Sequence, residues 1–266
     1  MKIVVGVKQT PSTTAVFTVE NGQVKWDDPG GKPLVLNPWD EYAIEEALRL
    51  QEAHGGDTMA LTMGPDSSQD ALKTCLAMGC GEAIQVWDES FEGSDTLGTA
   101  RVLAAAINKV GDVDLAIFGR QAIDGDSGQT IVQTARKLGW TPVTFVSKIL
   151  AVDAGAGTLT VERQVDEGRE TVTTRLPALI SVVKEINEPR YPSFMGIRKA
   201  NRATIPVWTA ADLEIDGGTG AAASKVDWSD IYGLPPRDTS VEIIEAESAG
   251  EKARILVERL FEEKVI

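Results

Sequence analysis

The sequence predicts an α/β fold: a mostly parallel sheet with helices on both faces, then a β-rich segment and an extended C-terminal arm. From residue 2 to residue 138, short apolar segments typical of strands alternate with segments of helical periodicity. Short links and this alternation are typical of parallel sheets covered by helices. After Trp140 the pattern changes to strands joined by glycine-containing turns, and after Glu188 to an irregular stretch with several prolines.

Local signals support the individual elements. The apolar, β-branched run at residues 2–7 is typical of a buried strand, and Asn21-Gly22 predicts a hairpin between strands 15–19 and 24–26. Asn37 is a candidate helix cap, Pro38 suits the first helical position, and Asp40 stands where a capping-box acid would. Further strands are predicted at 58–63, 83–87, 115–118, 143–152, 158–165, 170–174 and 178–183, and further helices at 67–78, 95–110, 127–138 and 248–263.

The composition disfavours several classes of function. A net charge of -14 opposes binding to nucleic acid or anionic lipid, and no apolar run reaches the roughly 18 residues of a membrane span. His54 is the only histidine, which disfavours a histidine-based triad or zinc site. The N-terminus lacks a signal-peptide pattern, so we expect a cytoplasmic protein without membrane insertion. Cys75 and Cys80 are poorly spaced for a disulfide, which fits a reducing compartment.

The strongest candidate for ligand binding is the stretch of residues 119–130, which follows a predicted buried strand and opens a predicted helix. The residues at that helix start are Ser127, Gly128, Gln129 and Thr130. Backbone N–H groups in a first helical turn have no helical partner and suit a phosphate. Asp124 and Asp126 would repel a phosphate beside them, so we expect one to cap the helix and the other to bind ribose hydroxyls or a backbone amide. A plain capped turn explains the stretch equally well.

Two more turns lie at the ends of predicted strands or the starts of helices, at residues 37–40 and 63–68. In a parallel sheet such turns converge on one crevice outside the carboxyl ends of the strands. Each turn alone is equally explained by simple capping. The sequence contains no Walker-type loop and no Gly-x-Gly-x-x-Gly after a strand, which disfavours an ATPase or an ordinary nicotinamide dehydrogenase.

The region after residue 188 has two candidate interaction segments. Residues 188–200 place Tyr191, Phe194 and Met195 in a proline-containing loop flanked by Arg190 and Arg198. The loop either packs on its own domain or presents an apolar anchor ringed by charge, the anatomy of a binding hot spot. Residues 201–266 form either a disordered tail or an arm laid on a partner. Large apolar residues are costly to leave in water and favour the arm; they are Trp208, Trp228, Ile231 and Tyr232.

Several segments together resemble the β subunits of electron-transfer flavoproteins, including the homologues linked to nitrogen fixation. They are residues 7–9 (VKQ), 37–43 (NPWDEYA), 119–126 (GRQAIDGD), 161–163 (VER), 176–178 (LPA) and 187–193 (NEPRYPS). The matches run in order up to about Ala200. The resemblance implies a Rossmann-like domain over residues 1–200 and, over residues 201–266, an arm that embraces an α subunit.

The resemblance also implies a function. The chain would be an electron carrier, not an enzyme by itself, working with FAD held mainly by the α subunit. It would pass electrons from dehydrogenases of the acyl-CoA type, as in fatty acid oxidation, to a quinone oxidoreductase. The β subunit of this family buries AMP or, in flavin-bifurcating members that oxidise NADH, a second FAD. The implied nucleotide-binding positions are Gly6, Asn37, Asp40, Met63, Asp124, Asp126, Gln129 and Thr130.

Some positions depart from the family pattern. Many bifurcating members have Val-Gly-Pro after the glutamine, where this chain has Thr130-Ile131-Val132, which favours AMP. Phe194 stands where the dehydrogenase-docking loop often carries leucine, and Gln164 where an acidic residue assists docking. A non-redox, stress-type domain that binds AMP or ATP fits the three turns equally well. Such a domain would end near Leu150, which leaves the β-rich segment and the arm unexplained.

Overall fold

The structure, a computed structural model, describes residues 1–28, 30–31, 34–227, 230–233, 235 and 240–266. The predicted α/β fold is confirmed: strands of the described chain form a nine-stranded, mostly parallel sheet with helices on it. Met1–Ile231 form one compact unit and Tyr232–Ile266 a second. The boundary predicted after residue 200 thus falls inside the first unit, and Trp228 of the predicted arm lies outside the described residues.

In the described residues, the predicted strands and helices occur in the predicted order, together with three short strands and one helix that were not predicted. The strands are β1 (Lys2–Gly6), β2 (Gln9–Pro11), β3 (Val16–Glu20), β4 (Gln23–Asp27), β5 (Leu34–Leu36), β6 (Asp57–Met63), β7 (Glu82–Val86), β8 (Leu115–Gly119), β9 (Thr141–Asp153), β10 (Thr158–Val165), β11 (Gly168–Arg175), β12 (Ala178–Val182) and β13 (Val207–Trp208). The helices are α1 (Pro38–His54), α2 (Gln69–Met78), α3 (Thr96–Val110), α4 (Gln129–Leu138), α5 (Phe194–Ala200) and α6 (Ala249–Glu262).

The large sheet has the order β11-β10-β9-β12-β8-β1-β6-β7-β13. From β9 to β13 in this order, each strand is parallel to its neighbour. At the other edge of the sheet, β10 pairs antiparallel with β9, and β11 pairs antiparallel with β10. The chain passes outward from β1 to β6 and β7, and then returns to place β8 on the other side of β1. The strand order therefore reverses between β1 and β8, and ligands of open α/β sheets bind at such a point.

Alternating residues of the central strands divide between two cores. Ile3 and Val5 of β1 belong to the cluster that includes buried residues of α1 and α2. Val4 belongs to the opposite cluster, with buried residues of α3 and α4. This two-sided burial explains why the parallel strands are continuous apolar runs, and it fixes the carboxyl ends of β1, β6 and β8 side by side.

One local prediction is confirmed and two are corrected. Asn21 and Gly22 both have positive φ (54° and 73°), as a tight hairpin turn between β3 and β4 requires. The helix predicted from residue 127 begins at Gln129. The loop predicted around Phe194 is wrong, because Phe194 opens helix α5, which Ser193 caps by accepting a hydrogen bond from the Gly196 N–H (2.9 Å).

Helix α5 depends on close packing that the sequence does not reveal. A Cβ at Gly196 would lie 2.2 Å from the carbonyl oxygen of Ala77, so only glycine permits this approach to α2.

In the described parts of the chain, no helix combines the length and the apolar character that crossing a membrane requires.

Candidate functional site

A cleft of about 610 Å³ lies at the point where the strand order reverses. Its walls come from the carboxyl ends of β1, β6 and β8 and from the starts of α1, α3 and α4. Cavities of about 300–1,000 Å³ hold small ligands and cofactors. The cleft is therefore large enough for a nucleotide, and it stands where an α/β sheet binds one.

All ten residues that the sequence analysis nominated for nucleotide binding line this one cleft. They are Gly6, Asn37, Asp40, Met63, Asp124, Asp126, Ser127, Gly128, Gln129 and Thr130. Gly6 ends β1, and the other nine lie in three turns that are up to 93 residues apart in the chain (37 to 130); the parallel sheet brings them together. Binding of a nucleotide at these residues stays a prediction.

The start of α4 leaves its first amides available. Gly128 occupies the N-cap position with φ 59°, in the left-handed region, and has no side chain to cap the helix. Ser127 Oγ lies 3.5 Å from the Gln129 nitrogen, the outer limit of a hydrogen bond. First-turn N–H groups without helical acceptors form an anion site together with the helix dipole. This helix start accordingly suits a phosphate.

The two loop carboxylates take partners other than the helix. Asp124 accepts two hydrogen bonds from the Lys8 ammonium group, at 2.8 and 2.7 Å. Asp126 accepts one from Gln121 Nε2 at 2.8 Å. The expectation that one of them caps α4 is wrong, because Lys8, which follows β1, and Gln121 of the same loop bind these carboxylates instead.

Asn37 and Asp40 connect turns to one another instead of capping α1. Asn37 Nδ2 donates to the carbonyl oxygen of Gln121 (2.9 Å), and Asn37 Oδ1 accepts from the Ile123 N–H (3.3 Å). Asp40 Oδ2 accepts from the Lys8 N–H (2.8 Å). The side-chain capping box predicted for α1 is therefore wrong, although Pro38 does occupy its first turn. Both side chains hold the turns around the cleft in fixed positions.

Asp40 is a buried acid on the cleft wall, only 5% exposed. Burial raises its pKa to about 7, although hydrogen bonds from the Lys8 N–H, Asn37 and the Gly119 N–H act in the opposite direction. A Cβ at Gly119 would lie 2.4 Å from Asp40 Oδ1, so glycine is required beside this carboxyl. A carboxyl group with this pKa is partly protonated near neutral pH.

The charge of the cleft is predominantly acidic. Among its described lining residues one is a lysine, Lys8, and four are aspartates: Asp40, Asp95, Asp124 and Asp126. Coulomb repulsion from several carboxylates rises with the charge of the ligand. Asp124 is paired with Lys8, and burial raises the pKa of Asp40 to about 7. This repulsion therefore comes mainly from Asp95 and Asp126.

The sequence analysis missed one wall of the cleft. Ser94, Asp95, Thr96 and Thr99 from the start of α3 line it, together with Val226. Asp95 is the N-cap of α3, so an Asp-x-x-Gly start after a strand could have indicated this side. Val226 stands in a stretch without periodic signal, and nothing local in the sequence connects it with the cleft.

The three nominated docking residues lie on the surface. Tyr191 is 94% exposed, Phe194 81% and Met195 67%. Arg190, one of the two cations that flank this anchor in the sequence, forms ion pairs with Glu45 and Glu52 of α1.

Comparison with known proteins agrees with the predicted family. The electron transfer flavoprotein domain matches residues 28–213. A full-length relative, the caffeyl-CoA reductase-Etf complex subunit CarD of Acetobacterium woodii, is 38% identical over 100% of both chains. The electron transfer flavoprotein subunit beta of Thermoanaerobacterium thermosaccharolyticum is 41% identical over 81% of each chain. Protein FixA of Azotobacter vinelandii is 36% identical over 95% of this chain and 91% of its own.

The matched region contains the turns at α1, β6 and β8 that surround the cleft. The family match covers more than half of the chain, and the relatives cover most or all of it at well over 30% identity. The chain therefore belongs to the electron transfer flavoprotein family, as a member of its β-subunit type.

Proposed function

We propose that this chain is the β subunit of a heterodimeric electron-transfer flavoprotein that works in the cytoplasm. It binds AMP in the cleft and pairs with an α subunit that holds FAD. The complex carries electrons from dehydrogenases of the acyl-CoA type to a quinone oxidoreductase. The observation that carries the nucleotide assignment is the convergence of all ten nominated residues on one cleft of about 610 Å³.

The residues present fit a nucleoside monophosphate. The first-turn amides of α4 would hold the phosphate, because they point from a helix start that no capping side chain closes. Asp124 and Asp126 would accept hydrogen bonds from ribose hydroxyls, since ionised carboxylates only accept. A Cβ at Gly6 would lie 2.5 Å from the Phe118 ring, so this part of the wall needs glycine.

The redox chemistry belongs to the flavin and not to side chains of this chain. FAD, when bound, stores and releases the electrons. Cys75 and Cys80 are both buried, and burial is the largest cause that raises the pKa of each thiol above its usual range. Neither cysteine is therefore suited to thiol–disulfide chemistry, which needs an accessible thiolate.

The alternative occupant of the cleft is a second FAD, as in flavin-bifurcating members that oxidise NADH. The acidic lining does not separate AMP from FAD, since both carry few phosphate charges. The Thr130-Ile131-Val132 run after Gln129 favours AMP. A stress-type nucleotide sensor is disfavoured by the family match, which continues to residue 213.

The test is the nucleotide content of the protein. The chain is co-expressed with its α subunit, and the purified complex is denatured and analysed by chromatography and absorbance. We expect one FAD and one AMP per heterodimer. Two FAD and no AMP would establish the bifurcating alternative, and the absence of any nucleotide beyond one FAD would contradict the proposed nucleotide site.

A further inference from the structure

A segment outside the three turns closes one side of the cleft. Residues 217–226, which we call the strap, run along the start of α3. The Gly220 N–H donates to Ser94 Oγ (2.7 Å), and the Ala221 N–H donates to the carbonyl oxygen of Glu92 (2.8 Å). The strap is thus fixed by backbone hydrogen bonds to the turn that precedes α3.

The path of the strap depends on close contacts. Arg101 Nη1 donates to the carbonyl oxygen of Gly218 at 2.6 Å. Gly220 has φ 71°, and a Cβ there would lie 2.4 Å from the carbonyl oxygen of Ser90. Residues with a side chain rarely adopt this backbone conformation. Glycine at this position therefore lets the strap approach the turn that precedes α3.

Asp95 connects the strap to the cleft. Its Oδ1 accepts the Gly98 N–H (2.8 Å) and caps α3, while its Oδ2 accepts the Lys225 N–H (2.8 Å). These two backbone donors, that of Lys225 first, lower the pKa of Asp95. The carboxylate is therefore ionised at neutral pH, and its bonds are of the stronger, charge-assisted kind.

Val226 follows directly and lines the cleft. Its N–H donates to Ser224 Oγ (3.2 Å), and the same hydroxyl donates to the Val226 carbonyl oxygen (2.8 Å). The Val226 side chain is 52% exposed. When a ligand covers a half-exposed apolar side chain, the burial of apolar surface stabilises the complex.

We propose that the strap is a wall of the nucleotide site, in which Val226 packs on the bound nucleotide and Asp95 is the positioning residue that holds Val226 there. This inference rests on the proposed binding of a nucleotide in the cleft. It assigns the strap, which lies far along the chain from the three turns, to ligand binding.

Two variants separate the strap from helix capping. Val226→Ala removes apolar surface from the wall. Asp95→Ser keeps an efficient helix cap, but a single hydroxyl cannot accept from Gly98 and reach Lys225 as the two carboxylate oxygens do. The matched control is Val132→Ala, because Val132 is similarly exposed (40%) on α4 and does not line the cleft.

The probe is pure AMP, titrated calorimetrically into the complex of this chain with its α subunit after exhaustive dialysis. We expect about three- to tenfold weaker binding for Val226→Ala and a similar loss for Asp95→Ser. The double variant should lose less AMP affinity than the product of the two single-variant factors, because both substitutions act on the same wall. AMP should also slow hydrogen exchange at the Lys225 amide in the wild type.

The outcomes separate a role of the strap from nucleotide binding in the cleft. If the wild type binds AMP while Val226→Ala and Asp95→Ser bind it as Val132→Ala does, the strap is not part of the site and the proposed nucleotide site stands. If the wild type binds no AMP, the proposed AMP site is wrong and the strap inference falls with it. Weaker binding by both variants, with unchanged melting temperatures before AMP is added, supports the strap inference.

Discussion

Arg190 holds Glu45, a buried carboxylate of α1, with two guanidinium nitrogens. Arg190 Nε lies 2.7 Å from Glu45 Oε2 and Nη2 lies 3.1 Å from Oε1, while the Arg190 backbone N–H also donates to Oε2 (3.1 Å). A further ion pair joins Arg190 to Glu52 at 2.6 Å. Arg190 therefore links the segment that leads into α5 to two carboxylates of α1.

We predict that Arg190→Gln destabilises the fold by about 2–4 kcal/mol, because it leaves the buried Glu45 carboxylate with only Arg49 as a cationic partner. Urea unfolding at pH 7 measures the change. Arg169→Gln is the control, since its ion pair with Glu162 is more exposed and such pairs contribute less than about 1 kcal/mol. Equal losses for both variants would show that the Arg190 pair has no special role.

The pH dependence gives an independent check. Burial raises the pKa of Glu45, but hydrogen bonds from Arg190 and Arg49 outweigh burial and hold it below the usual value of 4.5. A lowered folded-state pKa adds stability above the unfolded-state pKa, and this stability is lost as the pH falls through the folded-state value. The stability difference between wild type and Arg190→Gln should therefore shrink below about pH 4.5.

Much of the fold is encoded locally, and so are the site residues of the three turns. Apolar runs such as residues 2–7 and helix signals such as Pro38 predict the alternation of strands and helices. Once parallel strands are predicted, their carboxyl ends must meet at one edge. The convergence of the three turns on one crevice can thus be predicted from the sequence pattern, while the individual binding positions within them follow from the family resemblance.

The specific partners of these side chains are not encoded locally. Asn37 bonds to residues 84 and 86 positions away, and Arg190 to a carboxylate 145 positions away. The two-residue strand β13 is too short for a periodic signal and forms because β7 offers an edge. Capping predictions failed for the same reason at Asn37 and Asp40: distant backbone donors and acceptors competed for their side chains.

Gly128 should be essential for nucleotide binding because of its backbone. Its φ of 59° is unfavourable for a β-branched residue, so Gly128→Val should displace the first-turn amides and release the nucleotide. Loss of a ligand present at about 100 times its Kd removes about 2.7 kcal/mol of stability. The measurements are nucleotide content and melting temperature of the purified complex.

Gly139→Val is the matched control for Gly128→Val. Gly139 follows the other end of α4 with a similar φ of 71°, a Cβ at this position would meet no atom within 4 Å, and the residue does not line the cleft. The Gly139→Val variant should have similar backbone strain and keep its nucleotide. Full nucleotide content in Gly128→Val would contradict a phosphate site at the start of α4.

Asp40 should make stability depend on pH near neutrality. Burial raises its folded-state pKa to about 7 from 3.8, so between these values the folded state holds a proton that the unfolded state has lost. Its contribution to stability therefore falls as the pH rises from about 4 to about 7. Asp40→Asn keeps an oxygen acceptor for the Lys8 N–H and removes this titration.

Urea unfolding at pH 5, 6, 7 and 8 tests the role of Asp40. Relative to the wild type, Asp40→Asn should become progressively more stable as the pH rises to about 7, and the difference should then level off. Asp66→Asn, at an exposed position, is the control for the loss of one carboxylate. A constant difference between Asp40→Asn and wild type over this range would show that Asp40 does not titrate there.

The second unit should need a partner subunit. Helix α6 begins as predicted, with Ser248 Oγ accepting the Glu251 N–H (3.2 Å), but it has no buried residue. Leu256, Val257 and Phe261 of α6 are exposed, which is costly in water. We expect the chain expressed alone to be poorly soluble or to lack stoichiometric flavin, and co-expression to give a yellow 1:1 complex. A flavin-loaded monomer would contradict this.

Phe194 should be an anchor for the electron-donating dehydrogenase. It lies at the start of α5, 81% exposed, next to the exposed Met195. Truncation of a hot-spot side chain typically costs about 2 kcal/mol or more in binding, which is about a thirtyfold loss of affinity. Phe194→Ala should therefore raise the apparent KM for the complex in dehydrogenase-coupled reduction.

The same variant should leave the rest of the molecule unchanged. Because so little of the Phe194 side chain is buried, Phe194→Ala should keep the melting temperature, the flavin content and the reaction with small artificial acceptors. Leu150→Ala, at another exposed apolar side chain (45%) on β9, controls for loss of surface hydrophobicity and should leave the coupled KM unchanged. A drop of several degrees in melting temperature with unaltered coupling would make Phe194 a packing residue of α5. An equal rise in KM for Phe194→Ala and Leu150→Ala would show that docking does not depend on this helix in particular.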